Sequence, residues 1–149
     1  MYKTIVAGQV RKVFDELSKG NCEALLSGMA SDAVHAMDGK HAMSGVRSTR
    51  EDIEAWYTRL MLLFPQLSFE VHDVLVKGLP PKTTAVAIWE DSSPTVLDEP
   101  YRNFGVNVIE LSWGKVQSVR VYTDSQYLSD YLGKLGSLQP EAIAEPIVS

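Results

Sequence analysis

The sequence predicts an α+β fold, with a curved antiparallel sheet packed on three N-terminal helices in a cone around a small apolar pocket. Helical periodicity dominates the chain before Pro65, and two-residue alternation governs most of the chain from Leu67 to Thr123. Helices first and a run of strands afterwards argue for a layered α+β arrangement. A length of 149 residues can bury one substantial core and still leave a cavity.

Ile5, Val6, Val10, Val13, Phe14 and Leu17 recur at helical spacing, so residues 3–19 form an amphipathic helix that Gly20 stops. Asn21 is placed to cap a second short helix from Glu23 to Met29. Ala33 to Asp38 reads as a short strand, and Gly39 to Gly45 as a loop. Ser48 and Glu51 have capping-box spacing ahead of a third helix, whose buried face carries Ile53, Trp56, Tyr57, Leu60, Met61 and Phe64. Pro65 ends it.

Phe69, Val71 and Leu75 alternate with polar residues in a strand running from Leu67 to about Lys77. Gly78, Pro80 and Pro81 make the turn. Thr83 to Glu90 is apolar on both faces, as a central strand requires. Asp91 to Pro100, with two prolines and three acids, reads as a loop. Phe104 to Leu111 and Val116 to Thr123 form a hairpin about Ser112-Trp113-Gly114-Lys115. Asp124 or Ser125 caps a last helix ending near Gly133. One domain over residues 1–133 is expected, with a loosely attached tail from Lys134 to Ser149. Four long antiparallel strands curl, and helices must cover the concave side.

Apolar residues make up 45% and charged residues 22% of the chain, the balance of a globular protein. A net charge of −5 with scattered Lys and Arg argues against a nucleic-acid partner, and Arg47 with Arg50 reads as a solvated helix start. Cys22 is the single cysteine, which excludes an internal disulfide and a cysteine-built zinc site. No apolar stretch approaches the ~20 residues that span a bilayer, and the N-terminus lacks the pattern of a signal peptide. The expected setting is cytoplasmic, with no membrane partner. No phosphate loop, metal spacing or G-x-S-x-G elbow occurs, so no cofactor and no metal are expected.

Four passages in this order resemble the nuclear transport factor 2-like (cystatin-like) superfamily, and within it the SnoaL-like and ketosteroid isomerase-like group. They are Lys19-Gly20-Asn21 with Glu23, Ala24 and Leu25; Met29 to Val34; Gly45 to Phe64 followed by Leu67 to Val76; and Gly105 to Ile109 with Gly114 to Val116 and Val121 to Asp124. The resemblance spans about residues 5–132. It implies a pocket for a small apolar molecule and, commonly, a homodimer through the outer sheet face, where Tyr101, Phe104, Trp113 and Tyr122 are available. The fold hosts isomerases, cyclases, epoxide hydrolases and binders without activity, so the site must be read separately.

Laid on this chain, the tyrosine of a ketosteroid isomerase falls on Val13, its carboxylate base on Met37 and its neutral acid near Asn107. Valine cannot donate a hydrogen bond, and Asp38 lies one residue from the base position, on the opposite strand face. The acid that SnoaL-like cyclases and limonene epoxide hydrolase place on the last strand falls on Val121, and the cyclase histidine on Asn107. A close copy of the isomerase is therefore excluded, and the departures at Val121 and Asn107 count against the cyclase and epoxide hydrolase chemistry.

The remaining inward polar residues are His35, with the parity of Met37, and Asn107. His35 is the candidate acid–base group, with a backbone-bonded strand-edge histidine as its structural alternative. Asn107 is the candidate donor to a ligand carbonyl, with a bridge to a neighbouring strand as its alternative. Met37, Trp56, Leu60, Trp89 and Val121 form the expected ligand wall. The expected function is binding of a small apolar carbonyl or hydroxyl compound, with cofactor-free isomerase, cyclase or hydrolase chemistry by proton transfer. The alternative is a ligand-binding or dimeric interaction module without activity.

Overall fold

In the computed structural model, which describes all residues from Met1 to Ser149, four helices cover a six-stranded, curved and unclosed sheet. Helix α1 (Tyr2–Ser18) buries Val6, Val10, Phe14 and Leu17, the apolar stripe that its periodicity defines. It lies against the third strand, where the Phe14 and Phe69 rings meet edge to face at 5.2 Å. Helix α2 (Glu23–Ser27) is a single turn and a half and leads directly into β1 (Met29–Met37).

Strand β2 (Gly45–Arg47) has three residues and pairs antiparallel with β1, a pairing too short to leave a periodic signal. Helix α3 (Arg50–Leu63) starts one residue later than expected. Thr49 Oγ1, rather than Ser48, accepts from the backbone N–H of Asp52 at 3.2 Å. Strands β3 (Ser68–Leu79), β4 (Lys82–Ser93), β5 (Tyr101–Ser112) and β6 (Lys115–Thr123) form the long antiparallel meander. Sheet order is β2-β1-β6-β5-β4-β3. The sheet is not wholly antiparallel, because β1 runs parallel to β6 with His35 beside Val119 and Met37 beside Val121. Helix α4 (Ser125–Leu135) is capped by the Asp124 carboxylate, which accepts from Tyr127 N–H at 3.0 Å.

Several boundaries move: α2 stops at Ser27 and β1 begins at Met29 rather than Ala33. Strand β4 continues through Asp91 to Ser93, and β5 begins at Tyr101, so the expected loop shrinks to Pro94–Pro100. The tail expected to hang loosely is instead tied down. Arg59 Nε meets Glu141 Oε2 at 2.8 Å, Arg47 Nε donates to the Ile147 carbonyl at 2.9 Å, and Ser149 Oγ accepts from Ser48 N–H at 2.8 Å. Ala142, in a 3-10 turn at Pro140–Ile143, is buried. No helix is long and apolar enough to cross a membrane.

Candidate functional site

The concave face of the sheet is set by parity. On β4, Thr83, Ala85, Ala87, Trp89, Asp91 and Ser93 are buried in alternation with more exposed neighbours. On β5, Tyr101, Asn103, Asn107, Ile109 and Leu111 do the same. Tyr101, expected on the outer face, therefore lies inside, while Phe104, Trp113 and Tyr122 are exposed.

The space between sheet and helices has two chambers. The inner one, of about 40 Å³, is walled by aromatic and apolar side chains, with Asp91, Asn107 and Thr123 as its polar non-aromatic members. A water molecule's share of liquid is roughly 30 Å³, so the inner chamber is narrow, with Met37 and Met43 among the side chains filling it. The outer chamber holds about 340 Å³ between α1, α2 and the end of the β5–β6 hairpin, with Gln9, Lys12 and Ser27 exposed at its rim. Phe14, Leu17, Tyr57 and Asn107 line both chambers.

All five expected wall residues, Met37, Trp56, Leu60, Trp89 and Val121, line the inner chamber, and so does Asn107. Gly105 makes one of these placements possible. It stands opposite Trp89 in the β4–β5 pairing, and a Cβ on it would lie 2.5 Å from the Trp89 ring. The indole crosses this gap, and Trp89 Nε1 donates to Asn107 Oδ1 at 3.1 Å. An indole nitrogen only donates, so the bond orients the Asn107 amide with its oxygen toward Trp89 and its NH₂ left over.

His35 shares the inward parity of Met37 but lies beneath α3 and does not line either chamber. It is 0% exposed, with its ring 4.4 Å from that of Trp56. Arg47 Nη1 donates to its Nδ1 at 2.7 Å, and its Nε2 lies 3.2 Å from the Tyr57 hydroxyl. Burial, reinforced by the Arg47 charge, pushes its pKa down to about 3. A histidine sealed from ligand and held neutral through the physiological range is not the acid–base group that its strand position suggested. Arg47 is likewise no solvated helix start. It is 0% exposed, and burial lowers its pKa to about 10.

The residue that sequence reading passed over is Asp91. It is 6% exposed, lines the inner chamber, and its Oδ1 has no hydrogen-bond partner. Burial raises its pKa to about 7, against the lowering effect of the backbone amides of Asp91 and Asn103. A carboxyl group that changes charge near neutrality, in an apolar cavity, can both take and give a proton. Two-residue spacing from Trp89, already assigned to the wall, was the signal that could have found it.

The sequence profile of the SnoaL-like domain matches residues 10–119. No match is found among curated proteins. Among solved structures, Bal32a from a soil-derived mobile gene cassette is similar at a TM-score of 0.69 and 18% identity, covering 80% of this chain and 89% of that one. PrhC from Penicillium brasilianum NBRC 6234 is similar at a TM-score of 0.75 and 14% identity, covering 90% of this chain and 89% of that one. A SnoaL-like polyketide cyclase, so described for Jannaschia sp. CCS1, is similar at 0.62 and 18%, covering 87% and 88%. At these identities the likeness is one of fold.

Proposed function

We propose that this chain, which belongs to the SnoaL-like domain family, binds an apolar carbonyl or hydroxyl compound and moves a proton on it through Asp91. The carrying observation is the Asp91 carboxyl, buried with an unpartnered oxygen in the lining of a cavity with few other polar groups. As the carboxylate, it removes a proton from a carbon beside the ligand carbonyl. The C–H bond pair becomes the new C=C bond, and the carbonyl pair moves to oxygen as an enolate. The carboxylic acid then returns the proton to the same or another carbon, and the carbonyl re-forms. No cofactor enters the balance. Asn107, whose Oδ1 is taken by Trp89, offers its NH₂ to the ligand oxygen, and the acid–base role passes from His35 to Asp91. A ligand reaching Asp91 displaces Met37 and Met43, because the inner chamber as it stands holds about 40 Å³, and Met37, Trp56, Leu60, Trp89 and Val121 then exclude water from the reacting carbon.

The test is hydrogen–deuterium exchange at the α-carbons of 2-tetralone in D₂O, followed by proton NMR. The wild-type protein should speed exchange, along a pH profile turning near 7, and Asp91→Asn should reduce it by at least about 10²-fold, the usual contribution of a positioned base. Binding of 2-tetralone with no faster exchange would favour a carrier without turnover, the reading suggested by valine at positions 13 and 121.

A further inference from the structure

The outer chamber has an apolar wall and a rim of one charge sign. Its volume of about 340 Å³ falls within the roughly 300–1,000 Å³ of small-molecule sites. Val6, Val10, Val13, Leu25, Ile109 and Leu111 supply much of the apolar wall. Lys12 is the one charged residue in the lining, and no aspartate or glutamate joins it there. Gln9 stands three residues earlier on α1, so the two side chains are neighbours on one helix face, with Cβ atoms about 5–6 Å apart. Both are exposed at the rim. No ion pair within the chain holds Lys12. Asp15 and Glu16 follow it at the i+3 and i+4 positions, yet Glu16 takes Lys19 at 3.5 Å and Asn21 Nδ2 at 3.0 Å instead.

An apolar body that fills this chamber ends at the rim. A carboxylate placed there keeps part of its hydration, so it gains the ammonium without the cost of burying its charge. Lysine brings three N–H donors on a flexible stem and glutamine two on its amide, enough to serve both carboxylate oxygens. The net charge of −5 acts against anions at long range, but salt screens it over about 8 Å at physiological strength and leaves the local ammonium to decide. We infer that Gln9 and Lys12 form a carboxylate-reading pair, and that the outer chamber takes apolar carboxylic acids in preference to their neutral counterparts. This rests on the proposed occupancy of the cavity and narrows the ligand class to apolar compounds that carry an acid group as well as the carbonyl. Gln9 and Lys12 set specificity and take no part in the proton transfer.

The probes are 2-naphthoate and 2-naphthamide, nearly equal in shape, the first an anion and the second neutral at the pH of the assay. Affinities are measured by fluorescence titration. Wild-type protein should bind the naphthoate about threefold more tightly, the scale of a partly exposed ion pair, and the preference should vanish in about 1 M NaCl, where screening reaches ~3 Å. Lys12→Met should bring the two affinities level, Lys12→Arg should keep the preference, and Lys12→Glu should reverse it. Gln9→Leu should reduce it in part. A preference that survives Lys12→Met or Gln9→Leu undiminished overturns the inference. So does wild-type protein that binds the two probes equally, favours the amide or binds neither. Exchange on 2-tetralone is read on the same wild-type protein, so the two readings fail separately. Exchange without a naphthoate preference removes the acid group from the ligand and keeps the proton transfer, and a naphthoate preference without exchange does the reverse.

Discussion

Burial keeps the Asp91 carboxyl protonated to about pH 7, whereas in the unfolded chain it ionises near its ordinary 3.8. Between those values the folded state holds more protons than the unfolded one. This group's contribution is therefore full at low pH and is lost as pH rises through 7. Asp91→Asn removes that dependence. The variant should be more stable than wild type at pH 8 by about 4 kcal/mol, with the difference vanishing near pH 4, as read by urea denaturation at both values. An equal difference at both pH values would mean that the carboxyl does not titrate in the folded cavity. The position of this residue was readable from its phase with Trp89, but the neighbouring prolines and acids hid it among loop residues. His35 shows the converse. Its face was legible from strand parity, yet its depth was set by Arg47, Trp56 and Tyr57, which no periodicity on β1 records.

At the scale of elements, the β5–β6 turn carries a cost. Trp113 and Gly114 both have positive φ, 50° and 79°, as a two-residue hairpin turn demands, yet the Trp113 side chain is exposed. Trp113→Asn keeps the N–H that donates to the Pro80 carbonyl and suits the left-handed backbone. It should stabilise by about 0.5–1 kcal/mol and raise Tm by roughly 2–4 °C in calorimetry. A lower Tm would show that the indole makes a contribution its exposure conceals. Gly105 acts on the site through packing. Gly105→Ala should press a Cβ to 2.5 Å from both the Trp89 ring and the Tyr122 backbone oxygen, displace the ring from Asn107, and quench or shift tryptophan fluorescence along with a loss of 2-tetralone affinity. Unchanged emission and affinity would mean that the ring has room to move. The long elements were legible because each alternates cleanly over at least two turns or several strand residues. Strand β2 was not, since three residues cannot express a period and its pairing with β1 is tertiary.

Across the whole molecule, the chain's last residues complete the surroundings of Arg47. Ending the chain at Ala144 removes the Ile147 carbonyl and the Ser149 contacts, and leaves Arg47 Nε without its acceptor. The truncated protein should lose about 1–3 kcal/mol, measured by urea denaturation. An unchanged midpoint would mean that water replaces the carbonyl. The tail's composition, with Pro140 and Pro146, looked like a loose end because a tail's attachment depends on acceptors and donors elsewhere. Here these are Arg47 and Arg59.

The parallel seam between β1 and β6 has a consequence for synthesis. Met37 finds its partner at Val121, so the edge of β1 that will become interior stays open while most of the protein is being made. The meander can assemble in the order of translation, but the first strand cannot be inserted until the final one has left the ribosome. Nascent chains stalled before Lys115 should stay open to protease at Ala33–Met37, and those released after Thr123 should close. Protection already present in the stalled chains would show that β1 finds a temporary partner.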